Sequence, residues 1–244
     1  MAIFDLEYKG ENLSISYLQE NIDREKTVLF LHGWGSNKEI MHGIFKSTLP
    51  EYRHIYIDMP GFGASQNDSM VLTTQDYRAI IALFLEKLGI EPQIIAGHSF
   101  GGKVATLLNP PCLVLLSSAG ILVPKPLSIR LKIALFKLLK PLGVERIRKL
   151  FVADDAKEMN QVMYETFKNV VDEEFEENFK KYNGKALLFW GKEDTATPLW
   201  TGEKIEQLIA NSKLYPLSGD HFFFANHGQF IGETISNECK DLNG

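Results

Sequence analysis

Residues 93–105 read QIIAGHSFGGKVA, and this stretch decides the fold. Its first part, QIIAG (93–97), is a short apolar run of the kind found in a strand buried on both faces. The run ends in Gly97-His98-Ser99-Phe100-Gly101, and Gly102-Lys103-Val104-Ala105 then reads as the start of a helix. A G-x-S-x-G pattern between strand and helix makes a sharp turn: the serine sits in a strained conformation, and small flanking residues let the backbone approach itself. The helix N-terminus behind it offers amide N–H groups and a positive dipole end to a developing oxyanion. Five residues of this kind arise by chance in roughly a few per cent of chains this long. The pattern therefore needs partners.

Working outward, similar apolar runs recur at TVLFL (27–31), HIYID (54–58), CLVLLS (112–117), ALLFW (186–190) and KLYPL (213–217). Helix-like segments separate them. In Thr74–Leu88, Tyr77, Ile80, Ile81, Phe84, Leu85 and Leu88 fall at helical spacing, and Gly89 follows as a stop. Strands alternating with helices imply βαβ units and a doubly wound, mostly parallel sheet. Before the first buried run, IFDLEY (3–8) and LSISYL (13–18) alternate around Lys9-Gly10-Glu11-Asn12, which predicts a β-hairpin.

One stretch breaks the alternation. Between Ser118 and Lys185 lie roughly sixty residues without a strand-like run, too long for a loop and better read as a helical insertion. Its first half, Pro124–Lys149, carries Lys125, Arg130, Lys132, Lys137, Lys140, Arg146, Arg148 and Lys149 against Glu145 alone. Its second half is acidic: Asp154, Asp155, Glu158, Glu165, Asp172, Glu173, Glu174, Glu176 and Glu177. Leu131, Leu135, Leu138 and Leu142 form an apolar stripe, with Ile129, Ile133 and Phe136 on a neighbouring one. Such a helix packs on the body, as a simple lid or as the lining of an acyl pocket.

The partners of Ser99 are expected late in the chain. A serine hydroxyl needs a base, and the base needs a third group to fix its tautomer. After ALLFW comes Gly191-Lys192-Glu193-Asp194-Thr195-Ala196-Thr197-Pro198, and after KLYPL comes Ser218-Gly219-Asp220-His221-Phe222. Both lie just beyond strand C-termini, where open α/β sheets place their sites. The order serine, acid, histidine makes Ser99 the candidate nucleophile, Asp194 the orienting acid and His221 the base. Glu193 and Asp220 are rival acids; Asp220 is disfavoured because adjacent residues seldom point at each other's ring. After the first buried run, Phe30-Leu31-His32-Gly33-Trp34-Gly35 offers the Trp34 N–H to pair with that of Phe100 as an oxyanion hole. In that loop His32 reads as a turn residue, and in Asp58-Met59-Pro60-Gly61 both Asp58 and Gly61 read as structural.

HGWG, DMPGFGAS, GHSFGG, GKEDTATP and GDHFF resemble, in order, the landmark motifs of the α/β-hydrolase superfamily. The resemblance runs from about Thr27 to the C-terminus, insertion excluded, and is nearest to small bacterial carboxylesterase-like members. These include the pimeloyl-carrier-protein methyl ester esterase and meta-cleavage-product hydrolase branches; a serine at the elbow excludes the haloalkane dehalogenase branch. It implies a hydrolase core over 1–120 and 185–244 and a helical cap over 121–184. It implies the triad Ser99–Asp194–His221, a small-molecule ester or thioester substrate, and neither metal nor organic cofactor.

The basic half of the cap has three readings: docking of an acyl-carrier protein or a coenzyme A thioester, contact with an anionic membrane, or pairing with the acidic half of the same cap. Two other functions stay open: cleavage of a C–C bond (or a cofactor-free lyase reaction) by the same triad, and noncatalytic binding on a hydrolase fold.

Composition bounds the rest. The 244 residues are 45% hydrophobic and 23% charged with a net charge of −5. That suits one sizeable α/β domain and, without a basic arm, argues against nucleic acid. MAIFDLEYKG lacks the pattern of a signal peptide, and no run approaches about 18 uncharged apolar residues, so the expectation is a cytoplasmic protein without a membrane span. Cys112 and Cys239 match no metal spacing, and Cys112 reads as a small buried hydrophobe.

Overall fold

The structure, a computed structural model, describes residues 1–124 and 160–240. Both apolar stripes, the basic first half of the insertion, Asp154, Asp155 and Glu158 lie outside the described residues, and with them the surface expected to meet a carrier protein, coenzyme A or a membrane.

The described chain runs β1 (Ala2–Tyr8), β2 (Glu11–Glu20), β3 (Thr27–Leu31), α1 (Lys38–Phe45), β4 (Arg53–Ile57), α2 (Thr74–Lys87), β5 (Ile94–His98), α3 (Phe100–Leu108) and β6 (Cys112–Leu116). It resumes with α4 (Gln161–Val171), α5 (Glu176–Lys181), β7 (Lys185–Gly191), α6 (Leu199–Leu208), β8 (Ser212–Leu217) and α7 (Phe224–Glu238). The strands form one sheet in the order β1-β2-β4-β3-β5-β6-β7-β8. Only β2 runs against its neighbours; β4, β3, β5, β6, β7 and β8 pair in parallel. The mostly parallel sheet expected from the sequence is present.

The apolar runs explain the burial. Every residue of β3, β5 and β6 is buried, because helices cover both faces. One face meets α2, α3 and α6 through Ile80, Phe84, Val104 and Ile205, which pack with Leu29, Leu113 and Leu188 of the sheet. The other meets α1 and α7 through Met41, Phe45, Phe224, Ile231 and Ile235, which pack with Phe30, Val114 and Phe189. Each such side chain contributes about 1.5–3 kcal/mol of burial.

Local chemistry sets the element ends. Thr73 caps α2 in a reciprocal box with Asp76: the Thr73 hydroxyl accepts from the Asp76 N–H, and Asp76 accepts from the Thr73 N–H at 2.8 Å. The hairpin turn is tighter than read from the sequence. Lys9 and Gly10 alone form it, at φ of 52° and 83°, and pairing resumes at Glu11 opposite Tyr8.

Between β6 and β7, the described part of the insertion is tied firmly to the core. Thr166 Oγ1 accepts from the Leu72 N–H at 3.0 Å and Asn169 donates to the Leu72 carbonyl at 3.2 Å. Buried Lys103 on α3 donates to the Val170 carbonyl at 2.7 Å and pairs with Glu173 at 2.5 Å. In this acidic half, Glu173, Glu165, Glu177 and Glu176 pair with Lys103, Lys168, Lys180 and Lys204 respectively.

The cysteines depart from the sequence reading. Cys112 is buried, but it forms a disulfide with Cys239 at the end of α7. The sheet topology brings the start of β6 beside the C-terminal helix, which a separation of 127 residues does not disclose.

Candidate active site

Four loops converge at the C-terminal ends of β3, β5, β7 and β8, the side of a parallel sheet where sites are built. The elbow after β5 is a sharp turn. Ser99 has φ 49° and ψ −114°, a strained conformation for a residue with a Cβ. The surrounding backbone holds it there. The Ser99 N–H donates to the Leu116 carbonyl at 3.1 Å, and the Ser99 carbonyl accepts from Gly102 and Ala119, each at 3.0 Å. A Cβ on Gly97 would strike the Gly101 carbonyl, and one on Gly101 would come within 2.5 Å of the His32 carbonyl. Both positions must be glycine for strand and helix to approach so closely.

Beyond β7, Asp194 forms an Asx turn: its Oδ1 accepts from the Ala196 and Thr197 N–H groups at 2.8 and 2.9 Å. The second oxygen, Oδ2, accepts from Thr197 Oγ1 at 2.9 Å and lies 2.7 Å from His221 Nδ1. Burial opposes ionisation of this carboxyl most strongly. The bonds from His221 and the Thr197 amide outweigh it and hold Asp194 at about 2, below the usual carboxylate range. The rival acids are turned elsewhere. Glu193 accepts from the Gly219 N–H, and Asp220 accepts from the Phe222 N–H at 2.9 Å. Glu193 thereby ties the loop after β7 to the loop after β8.

In the loop after β3, Trp34 packs edge-on against Phe62 and Phe100, with ring centroids at 4.8 and 5.7 Å, and meets Phe167 of α4 at 5.3 Å. The buried Trp34 Nε1 has no hydrogen-bond partner among the described residues. Phe100 opens α3, so the helix itself leaves its N–H without a partner. His32 is used up internally: Nδ1 donates to the Gly33 carbonyl at 2.7 Å and Nε2 accepts from Met59 at 3.0 Å. Burial holds its pKa down at about 4. Asp58 is likewise buried, accepting from Lys38 Nζ at 2.6 Å and from Ala64 at 2.8 Å.

The structure thus joins Asp194 to His221 directly, and brings Ser99 into the same loop cluster by way of its neighbour His98, whose Nε2 lies 3.0 Å from the His221 carbonyl oxygen. No hydrogen bond links Ser99 Oγ to His221 among the described residues. Sequence reasoning missed Thr197 and His98. The threonine before Pro198 and a polar residue closing an apolar strand were the available signals.

The chain has the α/β-hydrolase fold: one eight-stranded, mostly parallel sheet covered by helices on both faces. Residues 26–109 match the family described as alpha/beta hydrolase fold. The chain is 26% identical over 261 residues to the uncharacterized hydrolase YugF of Bacillus subtilis, covering 94% of this chain and 96% of that protein. It is 40% identical over 79 residues to the pimeloyl-[acyl-carrier protein] methyl ester esterase of Shewanella sp., a match spanning 32% of this chain and 27% of that enzyme. Among solved structures, an esterase from Exiguobacterium antarcticum superposes with a TM-score of 0.72 at 21% identity, covering 94% and 96% of the two chains. A bromoperoxidase from Bacillus anthracis superposes at 0.76 and 18%, covering 98% and 100%. No helix among the described residues is long and apolar enough to cross a membrane.

Proposed function

We propose that this protein is a serine hydrolase that cleaves a carboxylic ester or thioester through an acyl-enzyme on Ser99. The observation that carries the reading is the 2.7 Å Asp194–His221 contact, built beside a serine held at φ 49°. His221 Nε2 takes the Ser99 proton as Oγ attacks the carbonyl carbon, and Asp194 stabilises the imidazolium that forms. The oxyanion is received by the N–H groups of Trp34 and Phe100. His221 returns the proton to the departing alcohol or thiol, and water activated by the same ring then hydrolyses the acyl-serine. The Ser99–His221 hydrogen bond forms as substrate seats, since such bonds are commonly long before it does. Trp34 Nε1, without a partner among the described residues, offers substrate a further donor.

In this reading residues 1–120 and 185–244 are the catalytic core and 121–184 are a cap that selects the acyl group. Hydrolysis of p-nitrophenyl esters of graded chain length tests it, comparing the wild-type protein with Ser99→Ala. The wild type is expected to show a preferred length and the variant no turnover above background. Equal hydrolysis by the variant would refute the assignment. Cleavage of a vinylogous diketone with none of any ester would move the reaction to C–C bonds.

A further inference from the structure

We propose that His98 is a positioning residue of this site, a buried imidazole that hangs the base loop at a fixed place beside the nucleophile; the proposal rests on the reading of Ser99 and His221 given above. His98 closes β5, precedes Ser99 and is 2% exposed. Its Nε2 lies 3.0 Å from the His221 carbonyl oxygen. Its ring lies 4.7 Å from the His221 ring, 5.1 Å from Phe222 and 4.7 Å from Phe224. On the opposite side it abuts the loop that carries Trp34. A Cβ built on Gly33 would fall 2.8 Å from His98 Nδ1 and 3.2 Å from Ser99 Cβ. One side chain therefore touches the elbow, the base loop and the expected oxyanion loop.

The two constraints on His221 are complementary. Asp194, on Nδ1, fixes the twist of the ring. His98, on the main-chain carbonyl, fixes the backbone from which the ring projects. Because a carbonyl only accepts, the proton of His98 resides on Nε2, and Nδ1 faces Gly33 with its lone pair. Burial, reinforced by the neighbouring His221, holds the His98 pKa down at about 3, which favours the neutral ring near neutral pH. Neutrality suits the position: a charged ring at 4.7 Å would repel the imidazolium that His221 becomes in the reaction. A leucine or phenylalanine would fill the same space but leave the His221 carbonyl without this donor.

Two substitutions separate positioning from packing. His98→Phe keeps a ring and removes the donor; His98→Gln keeps a neutral donor at similar reach. In ester hydrolysis, His98→Phe is expected to lower kcat about tenfold or more with little change in KM, since one directed hydrogen bond in a site is lost. His98→Gln should recover most of the loss, and fluorophosphonate should still modify Ser99 in both variants, more slowly in His98→Phe. An unchanged kcat in His98→Phe, or a loss that glutamine does not recover, overturns the proposal. Wild-type activity surviving in Ser99→Ala would overturn the nucleophile assignment instead.

If His98→Phe does not fold, nitrogen-15 NMR of imidazole-labelled wild-type protein decides. His98 should appear as the neutral Nε2–H tautomer throughout about pH 5 to 8. Titration in that range, or the Nδ1–H tautomer, contradicts the assigned role.

Discussion

Asp194 Oδ2 and His221 Nδ1 are 2.7 Å apart, the carboxylate fully buried and the ring one-fifth exposed. This pairing of a dry acid with an accessible imidazole is the feature a general base requires: the acid cannot move, while the other ring nitrogen stays reachable. It also separates Asp194 from Glu193, whose carboxylate binds the Gly219 amide.

Asp194→Asn should therefore lower kcat on the order of 10³- to 10⁴-fold, because the amide favours the wrong tautomer of His221. Glu193→Gln retains an acceptor for Gly219 and is expected to stay within a few-fold of wild type. Steady-state kinetics on one ester decides. Equal losses in the two variants would mean that the acid is misassigned.

Thr197 acts on the same carboxylate through its hydroxyl, 2.9 Å from Oδ2. Thr197→Val keeps the shape and the backbone amide but deletes that donor, so kcat should fall about tenfold. Measurement of kcat and KM together checks this, with KM expected to hold.

Acid should destabilise the protein in two stages. His32 and His98 are buried with folded values of about 4 and about 3, against 6.5 when free. Both are lowered, so the stability they contribute is complete above 6.5 and is lost as pH falls toward their folded values. Over that window unfolding should take up about one proton at each of these rings, and buried His54, whose pKa burial also lowers, adds to the uptake. Asp194 adds its own loss below 3.8, complete near 2. Urea unfolding at a series of pH values reads the proton uptake directly, and a flat profile between pH 7 and 5 would contradict the burial of these rings.

Lys103 is 1% exposed and is held by Glu173, which also accepts from Thr74 at 2.6 Å. Glu173→Ala strands the ammonium, although Glu173 is itself partly exposed, so the cost should be about 2 kcal/mol. A fall in Tm of about 5 °C is expected in calorimetry. An unchanged Tm would mean that α4 is not tied to α3 through this pair.

The sequence disclosed most of the sheet because strands covered on both faces leave continuous apolar runs. TVLFL coincides with β3, and the other runs lie within one residue of their strands. It disclosed the elbow because a serine at φ 49° needs small residues around it. Other features depend on distance in space rather than on local pattern. Adjacent carboxylates at 193 and 194 look alike until the loop turns one toward His221 and the other toward Gly219. His98 reads as the tail of a strand until β8 delivers the His221 carbonyl to it. Cys112 and Cys239 meet only because α7 returns alongside the start of β6.

The central claim is that Ser99 is the nucleophile, and covalent labelling addresses it most directly. Wild-type protein and Ser99→Ala, treated with a fluorophosphonate, would be weighed intact and then mapped by peptide. The account predicts one adduct on wild type, located on Ser99, and none on the variant. An adduct on both proteins, or none on wild type that is folded and untreated with any other inhibitor, would contradict it.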